Sequence, residues 1–250
     1  MELAMSDTYD HKFYQQNYNG SLSSARAVVP LMKDLVGPRS VLDVGCGSGT
    51  WASVWIASGI DDVVGVDGAY VSNSILNIPV DRFVAHDLTR PLGLGRRFDL
   101  VTCLEVAEHL PAESSGTIVQ SLTAHSDVVA FSAAVPRQGG TNHINLMWPS
   151  QWAALFKQFG YTVYDPFRPL IWDNSDVEFW YRQNTLLFVA EHSELAERLS
   201  APTGPLDIVH PDLLESWARP SAKYLALRGR LLASRPGRIA RMLRSALPIS

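Results

Sequence analysis

Val41-Leu42-Asp43-Val44-Gly45-Cys46-Gly47-Ser48-Gly49-Thr50 is an apolar run that passes straight into a glycine-rich turn, and the helical stretch Trp51 to Ser58 follows it. Glycines at alternate positions let the backbone turn sharply and let a ligand come close to it. Strand, glycine turn and helix in this order open a βαβ unit. The spacing argues against a dinucleotide, because a G-x-G-x-x-G fingerprint needs glycine at position 50, where this chain has Thr50. A loop with no pyrophosphate to cradle suits a compact ligand with an amino acid end. The ammonium of such a ligand would meet carboxylate and carbonyl groups near Asp43 and Gly45.

Working outward, the chain alternates as an α/β protein does. Apolar Val63 to Val66 is followed by a helix-like span near Val71 to Leu76, and further strands are expected at Arg82 to Ala85, Phe98 to Leu104, Val128 to Ala134, Thr162 to Tyr164 and Leu186 to Ala190. Helices are expected at Ser114 to Ala124 and Ser150 to Phe159. Consecutive units of this kind build a doubly wound, mostly parallel sheet, here of about seven strands. Upstream, a polar and aromatic segment (Tyr9, Phe13, Tyr14, Tyr18) leads into a helix over Leu22 to Met32, which Gly37 and Pro38 stop. The cluster Pro202, Gly204, Pro205 marks a boundary. The organisation read from this is an N-terminal lid and first helix at 1–40, a ligand-binding domain at 41–200, and a basic, helical C-terminal extension at 201–250.

With 250 residues, 46% hydrophobic and 18% charged, the composition excludes disordered and fibrous classes. Runs such as Val128 to Val135 stop well short of the roughly 18 apolar residues of a membrane span. The start, with Glu2, Asp7 and Asp10, is too acidic for a signal peptide, so a cytoplasmic protein is expected. Cys46 and Cys103 lack any C-x-x-C spacing, which supports neither a disulfide framework nor a structural zinc site. Eight of the 21 Lys and Arg, and none of the 25 Asp and Glu, lie from Arg219 onward, leaving the rest of the chain near −12. That balance argues against nucleic acid as a partner. The basic tail, interleaved with Leu and Ile, offers contact with an anionic membrane surface, with a phosphate-bearing molecule, or with the acidic body.

Three acids follow three successive strand candidates. Asp67 ends the second, where a doubly wound fold offers a carboxylate to a ribose cis-diol. His86-Asp87-Leu88 ends the third, where an acid can accept from an adenine amino group. Together with Asp43 they describe a pocket for S-adenosylmethionine. The fourth strand candidate runs into Leu104-Glu105-Val106-Ala107-Glu108-His109-Leu110, and with this the segment from Val41 to Leu110 resembles the class I S-adenosylmethionine-dependent methyltransferases. The resemblance implies a seven-stranded sheet with a reversed final hairpin, the cofactor across the carboxyl ends of the first strands, and the acceptor over the fourth and fifth. Cofactor contacts are then expected at Asp43, Gly45, Cys46, Gly47, Gly49, Asp67, Gly68, His86, Asp87, Leu88, Leu104 and Glu105, with S-adenosylhomocysteine as the product.

Transfer to a hydroxyl needs a base for its proton. His143, in the polar loop Gly139-Gly140-Thr141-Asn142-His143-Ile144-Asn145 after the fifth strand, is the candidate, against the alternative that it only holds the loop in place. His109 is the second candidate, read mainly as structural. Acceptor contacts are expected from Tyr14, Tyr18, Asn142, Asn145, Trp148, Trp172 and Arg182. No metal is expected, because the clustered acids of catechol-type enzymes are replaced by Cys103 and Glu105. Leu104 to Ala107 also stands where base-amino methyltransferases carry an N-P-P-Y tetrad. The leading reading is O-methylation of a sugar, nucleoside or secondary metabolite, with a homodimer admitted. The alternatives are an N-methyltransferase of an amino sugar or small amine, and a binding module that keeps the cofactor fold without turnover.

Overall fold

The computed structural model describes residues 11–218, with side chains from Tyr18 onward. The basic tail from Arg219 and the readings attached to it lie outside the described residues. The chain runs through α1 (His11–Val36), β1 (Ser40–Val44), α2 (Thr50–Ala57), β2 (Asp62–Asp67), β3 (Phe83–Ala85), β4 (Leu100–Leu104), α3 (Ser115–His125), β5 (Val128–Ser132), α4 (Pro149–Lys157), β6 (Tyr161–Tyr164), α5 (Arg168–Ile171), α6 (Phe179–Asn184), β7 (Leu186–Ala190), α7 (Glu194–Arg198) and α8 (Pro211–Ala218). Residues up to His210 form one compact unit, and α8 belongs to a second that begins at Pro211. Among the described residues no helix is long and apolar enough to cross a membrane.

The seven strands form one sheet in the order β3-β2-β1-β4-β5-β7-β6. β1 to β5 are parallel, and β7 runs antiparallel to both β5 and β6. The expected reversed hairpin is therefore present. The strands are apolar along nearly their whole length because helices cover both faces of the sheet. Alternate residues divide between two cores: Val41, Val63 and Leu100 pack with α1 and α2 around Trp55, while Leu42, Val101 and Val129 pack with α3 and α4 around Phe131. The strand order reverses between β1 and β4, and ligands of open α/β sheets bind outside the carboxyl ends of strands at such a point. Register aligns those ends, since Asp43 faces Gly65 on one side and Thr102 on the other.

Several expectations change in detail. The helix expected near Val71 to Leu76 is only a single 3-10 turn, Asn73–Ile75. The Ser72 hydroxyl accepts from the Ser74 amide at 3.3 Å, and a local side-chain turn of this kind competes with continued helix. β4 begins at Leu100 rather than Phe98, because the amide of Phe98 donates to the His125 carbonyl and that of Asp99 to the Ser40 hydroxyl. α5 and α6, between the last two strands, were not expected as helices.

Phe156 and Phe188 stack with centroids 3.9 Å apart, and Phe131 meets Phe188 edge-on. Both stacked rings are fully buried. Phe188→Ala removes the centre of this cluster and should lower unfolding free energy by about 3–5 kcal/mol in a urea titration. A loss below about 1 kcal/mol would show that the cluster does not hold β7 onto α4.

Candidate active site

The glycine turn is shaped by what crowds it. The amides of Gly45 and Cys46 both donate to the Val66 carbonyl, at 2.7 and 3.1 Å, so the loop folds over the end of β2. Gly45 has φ 77°, and a Cβ there would lie 2.2 Å from a Val106 methyl. Asp43 sits beneath the loop. Its Oδ1 accepts from the Thr102 hydroxyl at 2.7 Å, while Oδ2 is buried without a partner. Burial, and then the neighbouring Asp67 charge, push the Asp43 carboxyl up to about 6. Asp67 accepts from the amides of Gly47 and Gly68, both at 2.6 Å, and from the Tyr70 hydroxyl at 2.5 Å. Burial raises its pKa and these three donors oppose the rise. Asp87 is exposed, and its carboxyl is held below the usual range first by the Thr89 hydroxyl, 2.7 Å away.

These groups border an open cleft of about 1270 Å³ along the carboxyl ends of the strands. Every residue expected at the cofactor lines it except Asp43, which sits beneath the loop, and Gly49, which caps α2. Asp67, Asp87, Glu105 and Glu108 all face it, with Arg90 as the basic residue of the lining. An acidic cleft, with the unpaired Asp43 oxygen buried beneath its glycine loop, fits a ligand bearing a sulfonium and an ammonium, so the residues present suit S-adenosylmethionine.

Along the same cleft β4 terminates in Glu105, a non-glycine residue at φ 55°. Its amide donates to the carbonyl and hydroxyl of Ser132, at 2.9 and 3.1 Å. Its two carboxylate oxygens accept from Asn184 and Gln138, each at 3.0 Å. Asn184 also donates to Gln138 at 3.0 Å, so α6 and the loop after β5 share one amide network with Glu105. Glu108 follows one turn later, fully buried, with the Ala134 backbone and the Glu105 carboxyl beside its own carboxyl group. Burial, and then the Glu105 charge, raise its pKa well above the ordinary value.

The backbone carbonyl of Glu108 accepts from the amides of Ile144 and Asn145, at 2.9 and 3.0 Å. This stitches the loop after β5 onto the segment after β4 and sets His143 against His109, ring centroids 4.9 Å apart. His143 Nδ1 lies 3.3 Å from the Gln138 carbonyl, which assigns the proton to Nδ1 and the lone pair to Nε2. Burial lowers both imidazoles, His109 to about 4.

The expected acceptor residues fare unevenly. Tyr18 lines the cleft, and Tyr14 lies in α1 with its side chain outside the described residues. Asn145 is buried away from the cleft, donating to the Ala107 carbonyl and the Ser115 hydroxyl, so it anchors the loop that carries His143. Asn142 is exposed, and Trp148 caps α4. Trp172 and Arg182 bond to each other, the guanidinium donating to the Trp172 carbonyl at 3.0 Å. None of these five borders the cleft. Gln138, Trp180 and Tyr181 do; the aromatic, amide-rich character of 172–184 hinted at the last two, and no sequence pattern at Gln138.

The family profile described as "Methyltransferase domain" matches residues 14–165. The chain is similar to a ubiquinone biosynthesis O-methyltransferase of Methylococcus capsulatus, 26% identical over 154 residues that cover 56% of this chain and 58% of that one. The chain therefore spans little more than half the length of that curated relative. Among solved structures it is similar to Streptomyces venezuelae DesVI, with TM-score 0.54 and 17% identity, covering 74% of this chain and 98% of the other. It is also similar to CalS10, an amino pentose methyltransferase of Micromonospora echinaspora, with TM-score 0.54 and 18% identity, covering 71% and 96%. With the profile spanning more than half of its length, and with a glycine loop and acidic cleft that fit S-adenosylmethionine as cofactor, the chain belongs to the class I methyltransferase family.

Proposed function

We propose that this chain methylates an oxygen of a small hydroxylated molecule, with His143 at the point where the acceptor's proton has to leave. The observation that carries the reading is one continuous cleft, with the glycine loop and its acids at one end and the His109–His143 pair at the other. When bound, S-adenosylmethionine supplies an electrophilic methyl on a sulfonium. Asp43 would meet its ammonium, Asp67 the ribose hydroxyls and Asp87 the adenine amino group. Glu105, fixed by Asn184 and Gln138, forms the floor between the two ends. The Tyr18, Trp180 and Tyr181 rings supply apolar faces against which a sugar or aromatic ring can lie. The alternatives of a nitrogen acceptor and of a cofactor-fold binding module are separated from this reading by assaying hydroxylated and amino acceptors side by side.

Replacing His143 by Ala should lower turnover by about two orders of magnitude or more, while calorimetric affinity for S-adenosylhomocysteine stays within twofold. Unchanged turnover on an acceptor that the parent chain methylates would remove His143 from the reaction.

Asp43 gives a second expectation. In the ligand-free chain its carboxyl is protonated below about 6, and only the carboxylate attracts an ammonium. Its neighbours Asp67, Cys46 and Cys103 bring no positive charge to it. Affinity for S-adenosylhomocysteine should thus fall about tenfold between pH 7 and pH 5, and Asp43→Asn should flatten that profile. A profile as steep in the variant as in the parent chain would assign the pH dependence to another group.

A further inference from the structure

Asp67 is the carboxylate assigned above to the ribose hydroxyls, and the chain itself already fills most of it. A carboxylate offers about four acceptor positions, two on each oxygen. Oδ1 accepts from the Gly68 amide at 2.6 Å and from the Tyr70 hydroxyl at 2.5 Å, and Oδ2 accepts from the Gly47 amide at 2.6 Å. The position left over is on Oδ2. A cis-diol that bonds both oxygens brings two donors, so one of those present has to leave.

The two amides are held by the backbone around them. Gly47 belongs to the loop whose Gly45 and Cys46 amides are tied to the Val66 carbonyl and whose Gly49 amide donates to the Cys46 carbonyl at 2.8 Å. Gly68 is buried and opens a turn that the Val71 amide closes on its carbonyl at 3.1 Å. Tyr70 sits inside that turn, half-buried, on the lining of the cleft, and rotation about its side-chain bonds takes the hydroxyl off Asp67 with no movement of the backbone. Gly68 is fitted to this ring. A Cβ on it would lie 2.1 Å from a Tyr70 ring carbon, and its φ is outside the left-handed region, so the ring, not the backbone conformation, is what requires glycine there.

We infer that the Tyr70 hydroxyl occupies the ribose subsite while no nucleoside is bound, gives way to the ribose diol on binding, and takes Asp67 back as S-adenosylhomocysteine leaves. The inference rests on the assignment of Asp67 to the ribose in the proposed function, and adds to it a residue that sets nucleoside affinity and product release. Its logic is an exchange of like for like. One ribose hydroxyl replaces one phenol on the same carboxylate oxygen, so that bond adds to affinity only what exceeds the bond given up. The buried carboxylate keeps its donors at every stage, and the nucleoside is held less tightly than its diol alone would provide. A weaker hold appears mainly as faster dissociation, and release of product limits turnover in many enzymes.

The test is Tyr70→Phe in the full-length chain, which keeps the ring against Gly68 and removes only the hydroxyl. Calorimetry should show S-adenosylhomocysteine bound about fivefold or more tightly than by the parent chain, and stopped-flow displacement should show its dissociation slowed by a similar factor. The gain should follow the diol: adenosine tightens as much, and 2′,3′-dideoxyadenosine hardly at all. In an Asp67→Asn background the effect of Tyr70→Phe should vanish. Unchanged or weaker S-adenosylhomocysteine binding by Tyr70→Phe, or an equal gain for 2′,3′-dideoxyadenosine, overturns the exchange and leaves the proposed function standing as long as Asp67→Asn alone weakens binding. If Asp67→Asn leaves affinity untouched, the ribose assignment in the proposed function fails, and the exchange with it.

Discussion

The Thr102 hydroxyl donates a 2.7 Å hydrogen bond to Asp43 across β1 and β4, and one step further along the same two strand ends Gly45 meets Val106 with no space for a Cβ. This close approach, at the point where the strand order reverses, is the constraint on which the site depends. It requires glycine at 45 and a small loop above it. It also places the turn after β1 and the segment after β4 on opposite walls of one cleft.

The cleft gathers acids that burial makes costly. Asp43, Asp67 and Glu108 are almost wholly removed from water, and each has its carboxyl pKa raised by desolvation. A fold that needed only stability would replace such groups by apolar ones of similar size. For Asp43 the sign is clear: its folded pKa lies above the unfolded value of 3.8, so its contribution to stability is fully present below the unfolded pKa and is lost as pH rises through about 6. Near neutral pH the ligand-free chain therefore carries the full cost. Asp67 offsets its share with three internal donors. Asp43 keeps one oxygen without a hydrogen bond, the one the proposed ammonium would meet.

The cofactor half was legible because its determinants are local. A glycine turn, an acid at each of three strand ends and the Leu104 to Leu110 segment are short patterns, and a parallel sheet with register between β1, β2 and β4 brings them together without further information. The acceptor half is long-range. Asn184 reaches Glu105 across 79 positions and Gln138 across 46, and no single-sequence pattern connects them. Loop residues defeated the reading at finer grain: of two neighbours in one polar stretch, His143 faces the cleft while Asn145 turns inward to hold the loop. Trp172 and Arg182 look like a ligand platform in sequence, yet they are spent on one another and on His210. The short helices α5 and α6 escaped because four to six residues give too little periodicity to read.

The two halves of the cleft meet at Glu105, and its geometry explains how they can be built independently. Its backbone belongs to the cofactor side, at the end of β4, in a left-handed conformation that costs an ordinary residue roughly 1–2 kcal/mol. Its side chain belongs to the acceptor side, held by amides from α6 and from the loop after β5. The reversed strand β7 makes this possible, because running antiparallel to β5 it starts at the carboxyl end of the sheet and so delivers α6 directly over the cleft. A parallel β7 would begin at the opposite edge and leave that end open. The sheet thus fixes where the glycine loop and Glu105 stand, while the segment between β6 and β7 can change what is presented beside them without disturbing β1, β2 or the glycine loop.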